Sequence, residues 1–259
     1  MTKTLFSADP RGKLLLNEMP IYSGSHSELL QELSRLSEQA IPLLVVTPNV
    51  DQVLTLDQSS ELLTAFKLAS LRTIDGMPLR LLAKLVGVKN PHRNTGADLL
   101  PSVCSSDLFR GKTIAITGGR DDVLECAVNQ LSVDNPEANI VGIPFPHIKS
   151  IQDEASWSTI RALKECSPAV VFVCLGAPKQ EAWFAEWRQH LPAGVYIGAG
   201  AAVDFAAGAV SRAPRWMQRA GLEWVHRLVK DPRRLAHRYL VKGPRFLPIM
   251  IRSIIHASK

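Results

Sequence analysis

Ala169-Val170-Val171-Phe172-Val173-Cys174-Leu175-Gly176-Ala177-Pro178-Lys179-Gln180-Glu181 is the stretch on which the fold turns. An unbroken apolar run that ends in a polar turn is how a strand buried on both faces delivers side chains to the mouth of a parallel α/β sheet. Working outward, strand signals recur at Pro42 to Thr47, Thr113 to Thr117, Ile140 to Pro144 and Val195 to Gly198. Helix signals fill the intervals, at Asp51 to Ser70, Met77 to Val86, Gly96 to Ser105, Asp121 to Leu131, Asp153 to Glu165 and Gln180 to His190, each with apolar residues three and four apart. The alternation predicts an α/β fold, Rossmann-like and doubly wound, with a mostly parallel sheet. After about Ala209 the strands stop, so residues 1–209 are expected to form the core and residues 210–259 a helical, basic C-terminal appendage.

At 259 residues and 46% hydrophobic content the chain can bury a substantial core, which excludes disorder for most of it. The net charge of +6 is unevenly placed. Lys230, Arg233, Arg234, Arg238, Lys242, Arg245, Arg252 and Lys259 face the single acid Asp231 in the last thirty residues, a local device aimed at phosphates, anionic lipid or nucleic acid. Pro244 and Pro248 interrupt the segment after Tyr239, and apolar Phe246, Leu247, Ile249, Met250, Ile251, Ile254 and Ile255 alternate there with basic residues. That composition suits a segment lying in a membrane interface, or an ordinary docked helix with a basic edge. No apolar run approaches the roughly 20 residues of a membrane span, and Met1-Thr2-Lys3-Thr4-Leu5-Phe6 opens no secretory signal. Cys104, Cys126, Cys166 and Cys174 lack CxxC spacing and read as reduced, buried thiols of a cytosolic protein.

Four constellations carry chemistry. Thr47-Pro48-Asn49-Val50-Asp51 sits at a strand's carboxyl end, where open α/β sheets bind ligands, although Asn49 or Asp51 is also a ready cap for the following helix. Asp75 precedes Gly76 and Pro78 at a loop-to-helix junction, where a carboxylate can act as general base. Thr117-Gly118-Gly119 ends a strand before a helix, and Gly118 and Gly119 would let backbone amides approach an anion. Gly176 to Glu181 and Gly198 to Asp204 follow strands with small residues that permit close approach, and Gln180 can donate to and accept from a uracil edge or a sugar hydroxyl. Beyond them Arg227, Arg234 and Arg238 stand seven and four residues apart, which places them on one face of a continuous helix, a row of guanidinium forks suited to a pyrophosphate. There is no Asp-x-Asp, HExxH or His/Cys cluster, so no metal is expected, and a diphosphate leaving group would rely on arginines.

Taken in order, Thr47-x-Asn49, Asp75-Gly76, Thr95-Gly96-Ala97-Asp98-Leu99, Thr117-Gly118-Gly119, Leu175 to Glu181, Gly198-x-Gly200 with Asp204, Arg212-Ala213-Pro214, and Leu222-Glu223-Trp224-x-x-Arg227-Leu228 with Pro232 and Arg234 resemble the TagA/WecG/CpsF glycosyltransferases, glycosyltransferase family 26, over roughly residues 40 to 240. The resemblance implies an inverting, metal-independent hexosyltransferase without cofactor. It would move a sugar from a UDP-sugar to an undecaprenyl diphosphate-linked monosaccharide in bacterial exopolysaccharide or other cell-envelope polymer synthesis. It makes Asp75 the base, with Thr47 and Asn49 beside it in the catalytic pocket. Gly118, Gly119, Gly176, Lys179, Gln180, Asp204 and Arg212 would bind substrate, and the appendage would fold over the site, bringing Arg227, Arg234 and Arg238 to the diphosphate. It also implies a peripheral protein on the anionic cytoplasmic face of the inner membrane, with no nucleic acid partner. Two positions depart from the family pattern. His237 stands where a third arginine is common, and Ile143-Pro144-Phe145-Pro146-His147 replaces a Gly-Tyr-Phe. A nucleotide-dependent oxidoreductase on the same architecture is the rival enzyme, and lacks its GxGxxG. A non-enzymatic module binding membrane or nucleic acid through the basic tail is the other rival, and apolar surface on the core leaves a homo-oligomer open.

Overall fold

The computed structural model describes residues 4–257, with the side chain of Arg234 outside the described residues. Its centre is a six-stranded, all-parallel sheet formed by β4 (Pro42–Val46), β5 (Leu71–Arg72), β6 (Thr113–Thr117), β7 (Asn139–Ile143), β8 (Val170–Val173) and β9 (Gly194–Gly198), in the order β5-β4-β9-β8-β6-β7. Every residue of β8 and β9 is buried, as unbroken apolar runs require when helices cover both faces. A separate antiparallel sheet of β1 (Phe6–Ala8), β2 (Leu14–Leu16) and β3 (Met19–Ile21) precedes it. At three residues apiece these strands are too short for periodicity to mark them.

The helices of the core follow their capping chemistry. α1 (His26–Leu36) starts at a reciprocal Ser25/Glu28 capping box, a signal the periodicity reading passes over. The predicted helix from Asp51 to Ser70 is two helices, α2 (Val50–Thr55) and α3 (Ser60–Leu68), because the Ser59 hydroxyl caps a fresh start by accepting from Leu62 N. α4 (Met77–Leu85) begins behind Gly76, whose φ of +106° excludes most other residues. α5 (Gly96–Cys104) opens on Thr95, which exchanges hydrogen bonds with Asp98. A Cβ at Gly96 would lie 2.7 Å from Ala199 Cα, so the glycine lets α5 press against the loop after β9. α6 (Asp121–Asp134), α7 (Ser156–Cys166), α8 (Lys179–Trp187) and α9 (Ala202–Ala206) complete the layers. Cys104, Cys126, Cys166 and Cys174 are free, but only Cys104 and Cys174 are buried, Cys166 being half-buried and Cys126 exposed on α6.

Residues 210–259, expected to form an appendage, hold α10 (Arg215–Arg219), α11 (Glu223–Lys230), α12 (Pro232–Ala236), a π-helical turn (His237–Lys242) and α13 (Phe246–Ala257). The continuous helix behind the predicted arginine row does not form, because Asp231 at φ −140° breaks α11 from α12. α13 docks on the first strand. Phe6 N donates to Ser253 Oγ at 2.9 Å, and the Phe6 and Phe246 rings meet edge to face at 6.5 Å. Phe246 and Ile249 join the core that also holds Phe6, Leu44 and Trp183, while Leu247, Ile251 and Ile255 line the opposite, exposed face. No helix among the described residues is long and apolar enough to cross a membrane.

Candidate active site

The carboxyl ends of β4, β9 and β8 open into one cleft of about 830 Å³, within the range of small-ligand sites. Its lining includes Thr47, Asn49, Asp75, Gly176, Gln180 and Asp204 from the core and Glu223, His226, Arg227, Lys230 and Arg238 from the appendage. The chain thus closes its own site from above with its C-terminal helices.

Thr47 Oγ donates to Gly198 O at 2.8 Å, stitching the end of β4 to the end of β9. Asn49 caps α2, its Oδ1 accepting from Asp51 N and Gln52 N, and Arg238 Nη2 reaches the same oxygen at 3.4 Å. Gln52 returns the cap through Oε1 to Asn49 N and donates through Nε2 to Glu181 Oε1 at 2.8 Å. Gln180 Nε2 donates to that same carboxylate oxygen at 2.8 Å, and Gln180 Oε1 accepts from Gly200 N at 3.0 Å. One fully buried carboxyl therefore ties together the loops after β4, β8 and β9. Burial pushes Glu181 up to about 7, against the hydrogen bonds from Gln180 and Gln52 that stabilise its charge. A Cβ at Gly198 would lie 2.6 Å from Gln180 Nε2, so a larger residue there must displace the Gln180 amide.

Asp75 is half-buried beyond the end of β5, its amide bonded to Pro48 O at 2.9 Å. Burial raises its pKa to about 7, while Arg227 and Arg93 pull it down and Glu223 and Asp98 push it further up. A carboxyl poised near neutrality in a cleft is suited to accept a proton. Arg93 bridges core and appendage, pairing with Glu223 at 3.0 Å and with Asp98 at 3.5 Å. Arg227 also pairs with Glu223 at 3.0 Å and lies 4.9 Å above the Phe205 ring, which meets Arg212 at 5.4 Å. Arg212 in turn pairs with Asp98. Burial would raise the Asp98 pKa, but Arg212 and its hydrogen bonds hold it below the usual carboxylate range.

Of the residues singled out in the sequence, Thr47, Asn49, Asp75, Gly176, Gln180, Asp204, Arg227 and Arg238 line this cleft. Gly118, Gly119, Lys179 and Arg212 do not. Gly118 and Gly119 adopt φ of +95° and +83°, and a Cβ would lie 2.8 Å from the Cys174 carbonyl at the first and 2.9 Å from Val203 at the second, so packing already accounts for both. Lys179 is exposed at the start of α8. Arg234, expected at the diphosphate, has its side chain outside the described residues. Arg93, Phe205 and Gln52 escaped the sequence reading, and Glu223 and Glu181 entered it only as motif residues without a role; the Arg93–Glu223 and Gln52–Glu181 contacts join residues 130 and 129 positions apart. Only the capping spacing from Asn49 to Gln52 could have drawn attention to Gln52. Among the described residues no three His, Cys, Asp or Glu side chains cluster to hold a metal ion.

The family model described as "Glycosyl transferase WecG/TagA/CpsF family" matches residues 14–259. Over 158 residues the chain is 30% identical to the N-acetylglucosaminyldiphosphoundecaprenol N-acetyl-beta-D-mannosaminyltransferase of Bacillus subtilis (strain 168). The aligned stretch covers 61% of this chain and 60% of that relative's length.

Proposed function

As the chain belongs to the WecG/TagA/CpsF family of glycosyl transferases, we propose that it transfers a sugar from a UDP-sugar to a monosaccharide linked to a polyprenyl diphosphate, in the synthesis of a bacterial cell-surface polymer. The observation that carries the proposal is Asp75, poised near neutrality in a cleft that core and appendage share with Arg227 and Arg238. Asp75 as carboxylate takes the proton of the acceptor hydroxyl, whose oxygen attacks the anomeric carbon. The bond from that carbon to the diphosphate oxygen breaks as the new glycosidic bond forms, in a single displacement with inversion, and UDP leaves with the electron pair. Arg227 and Arg238, with Lys230, supply charge for the leaving diphosphate, each charged hydrogen bond contributing roughly 1.5–3 kcal/mol. Thr47, Asn49 and Gln180 orient the donor, the last through its amide held by Glu181.

The lipid-linked acceptor and the exposed Leu247, Ile251 and Ile255 of α13 favour a peripheral position on the cytoplasmic face of the membrane. The Bacillus subtilis relative's name makes UDP-N-acetylmannosamine the first donor to try and a diphosphate-linked N-acetylglucosamine the first acceptor. The test is transfer from a panel of radiolabelled UDP-sugars to a polyprenyl diphosphate-linked monosaccharide in vesicles, with and without EDTA. A lipid-linked disaccharide from one donor, undiminished by EDTA, is expected. A folded protein that forms no product and binds no UDP in calorimetry would overturn the proposal.

A further inference from the structure

We infer that a basic pocket at the seam between α4 and α10, separate from the cleft, is a second anion site, and that it takes the phosphate of an anionic lipid headgroup. The pocket measures about 260 Å³ and is lined by Met77, Arg80, His92, Arg93, Arg215, Gln218 and Arg219, with no carboxylate in the lining. Arg80 is fixed there, its Nε donating to Pro91 O at 2.8 Å. The turn after α10 closes the seam, since a Cβ at Gly221 would lie 3.1 Å from Met77 Cβ.

Among the described residues, arginines without a carboxylate partner occur elsewhere too, as at Arg161 and Arg188, but three of them meet around this one concavity. Elsewhere Arg35, Arg110, Arg120, Arg212, Arg227 and Arg238 each face a carboxylate. Arg93 spends its charge on Glu223 and Asp98. Among the described residues no ion pair is recorded for Arg80, Arg215 or Arg219. Three guanidiniums gathered around one concavity repel one another, and a bound anion is the natural relief. Guanidinium forks match phosphate oxygens in planar, paired geometry, and Gln218 adds a neutral donor.

A lipid headgroup is favoured over free phosphate by what surrounds the pocket. Trp216 stands between the pocket's two appendage arginines in sequence and is 64% exposed, and Leu222 and Trp224 are exposed a few residues on. Exposed tryptophan beside arginine is the composition of a membrane interface, where the ring sits at headgroup level and the cations meet anionic lipid. Met77 lies two residues from Asp75, so a headgroup held here would set the height of the cleft above the bilayer and present the lipid-linked acceptor to it. The inference rests on the peripheral-membrane part of the proposed function.

The experiment uses the full chain and the double variant Arg215→Ala/Arg219→Ala, sedimented with phosphatidylcholine vesicles alone or carrying phosphatidylglycerol. Each cation near an anionic surface contributes about fivefold, so the variant should partition roughly thirtyfold more weakly to the anionic vesicles and unchanged to the neutral ones. Arg161→Ala/Lys164→Ala on α7 removes the same charge far from the pocket and should leave partitioning near wild type. An equal loss in that control would reduce the effect to net charge and overturn the site. Calorimetric titration of inorganic phosphate that is lost in the double variant, with vesicle partitioning intact, would assign the pocket to free phosphate and overturn the lipid assignment. UDP binding should stay at the wild-type level in both variants, so a missing transferase activity and a missing lipid site register separately. The charge reversal Arg219→Glu, at an exposed position, repeats the test with a single substitution.

Discussion

Replacing Asp75 with Asn should make the protein more stable and nearly inactive at once. Burial moves the Asp75 pKa from 3.8 to about 7. At about 1.4 kcal/mol per pH unit, holding the ionised form at pH 8 costs the fold roughly 4 kcal/mol, which water entering from the cleft reduces to about 2 kcal/mol. The sign follows from proton counting. Below pH 3.8 the carboxyl is protonated in the folded and unfolded chain alike, and the cost is absent. Between 3.8 and about 7 the unfolded chain has released the proton and the folded one keeps it, so stability falls as pH rises, and above 7 the cost is complete. Asn at this position is the uncharged isostere. Urea titration at pH 8 should therefore show Asp75→Asn more stable than wild type by about 2 kcal/mol, a gain that vanishes toward pH 4. Glu181 titrates in the same window with the same sign, and the difference between variant and wild type cancels it. Turnover should fall by about 10²–10⁴, and wild-type kcat/KM should climb through a limb near pH 7 as the base loses its proton. A variant as active as wild type would remove Asp75 as base, and equal stability at pH 4 and pH 8 would refute the burial argument.

Gly198→Ala should push Gln180 out of place, lowering kcat/KM well beyond the roughly 1–3 kcal/mol of overpacking seen in thermal melts; an active variant with a normal melt would show that the Gln180 position does not matter. Glu181→Ala leaves the buried Gln52 and Gln180 amides without their shared acceptor and should cost about 2–4 kcal/mol in urea unfolding, an expectation that an unchanged midpoint would contradict. Ser253→Ala strands the amide of Phe6 and should cost about 1–2 kcal/mol, with faster hydrogen exchange at Phe6 as its signature. Exchange there at the wild-type rate would mean that another acceptor serves Phe6.

Burial decided which elements could be read from the sequence. β4, β6, β8 and β9 lie within a residue or two of their predicted bounds, because strands covered on both faces must be apolar throughout, and β7, a half-buried edge strand, was found through Ile140, Val141 and Ile143. β5 is two residues long, and one of them, Arg72, is buried by donating to the carbonyls of Phe66 and Ala69, so neither length nor polarity marks it as a strand. The cleft was accessible where a motif follows a readable strand, as at Thr47 and Gln180, and at Asp75 through the Gly76 and Pro78 that open a helix. What could not be read were the pairings that give those residues their properties. Arg93 meets Glu223 across 130 positions, and Gln52 meets Glu181 across 129. A linear sequence records neither separation. The continuous helix expected behind Arg227, Arg234 and Arg238 is absent for a related reason, since the spacing is helical but the backbone at Asp231 is not, although Arg227 and Arg238 both reach the cleft.

The bond from Phe6 to Ser253 spans 247 residues, so the first strand of the described chain is finished by its last helix. During synthesis the strand leaves the ribosome long before its partner exists, and loop closure over that distance comes late. Until α13 arrives, Phe6, Leu14 and Leu16 form an open apolar seam in an otherwise assembled core. The nascent protein is then at its most vulnerable to aggregation, and α13 serves as the clasp that ends that interval.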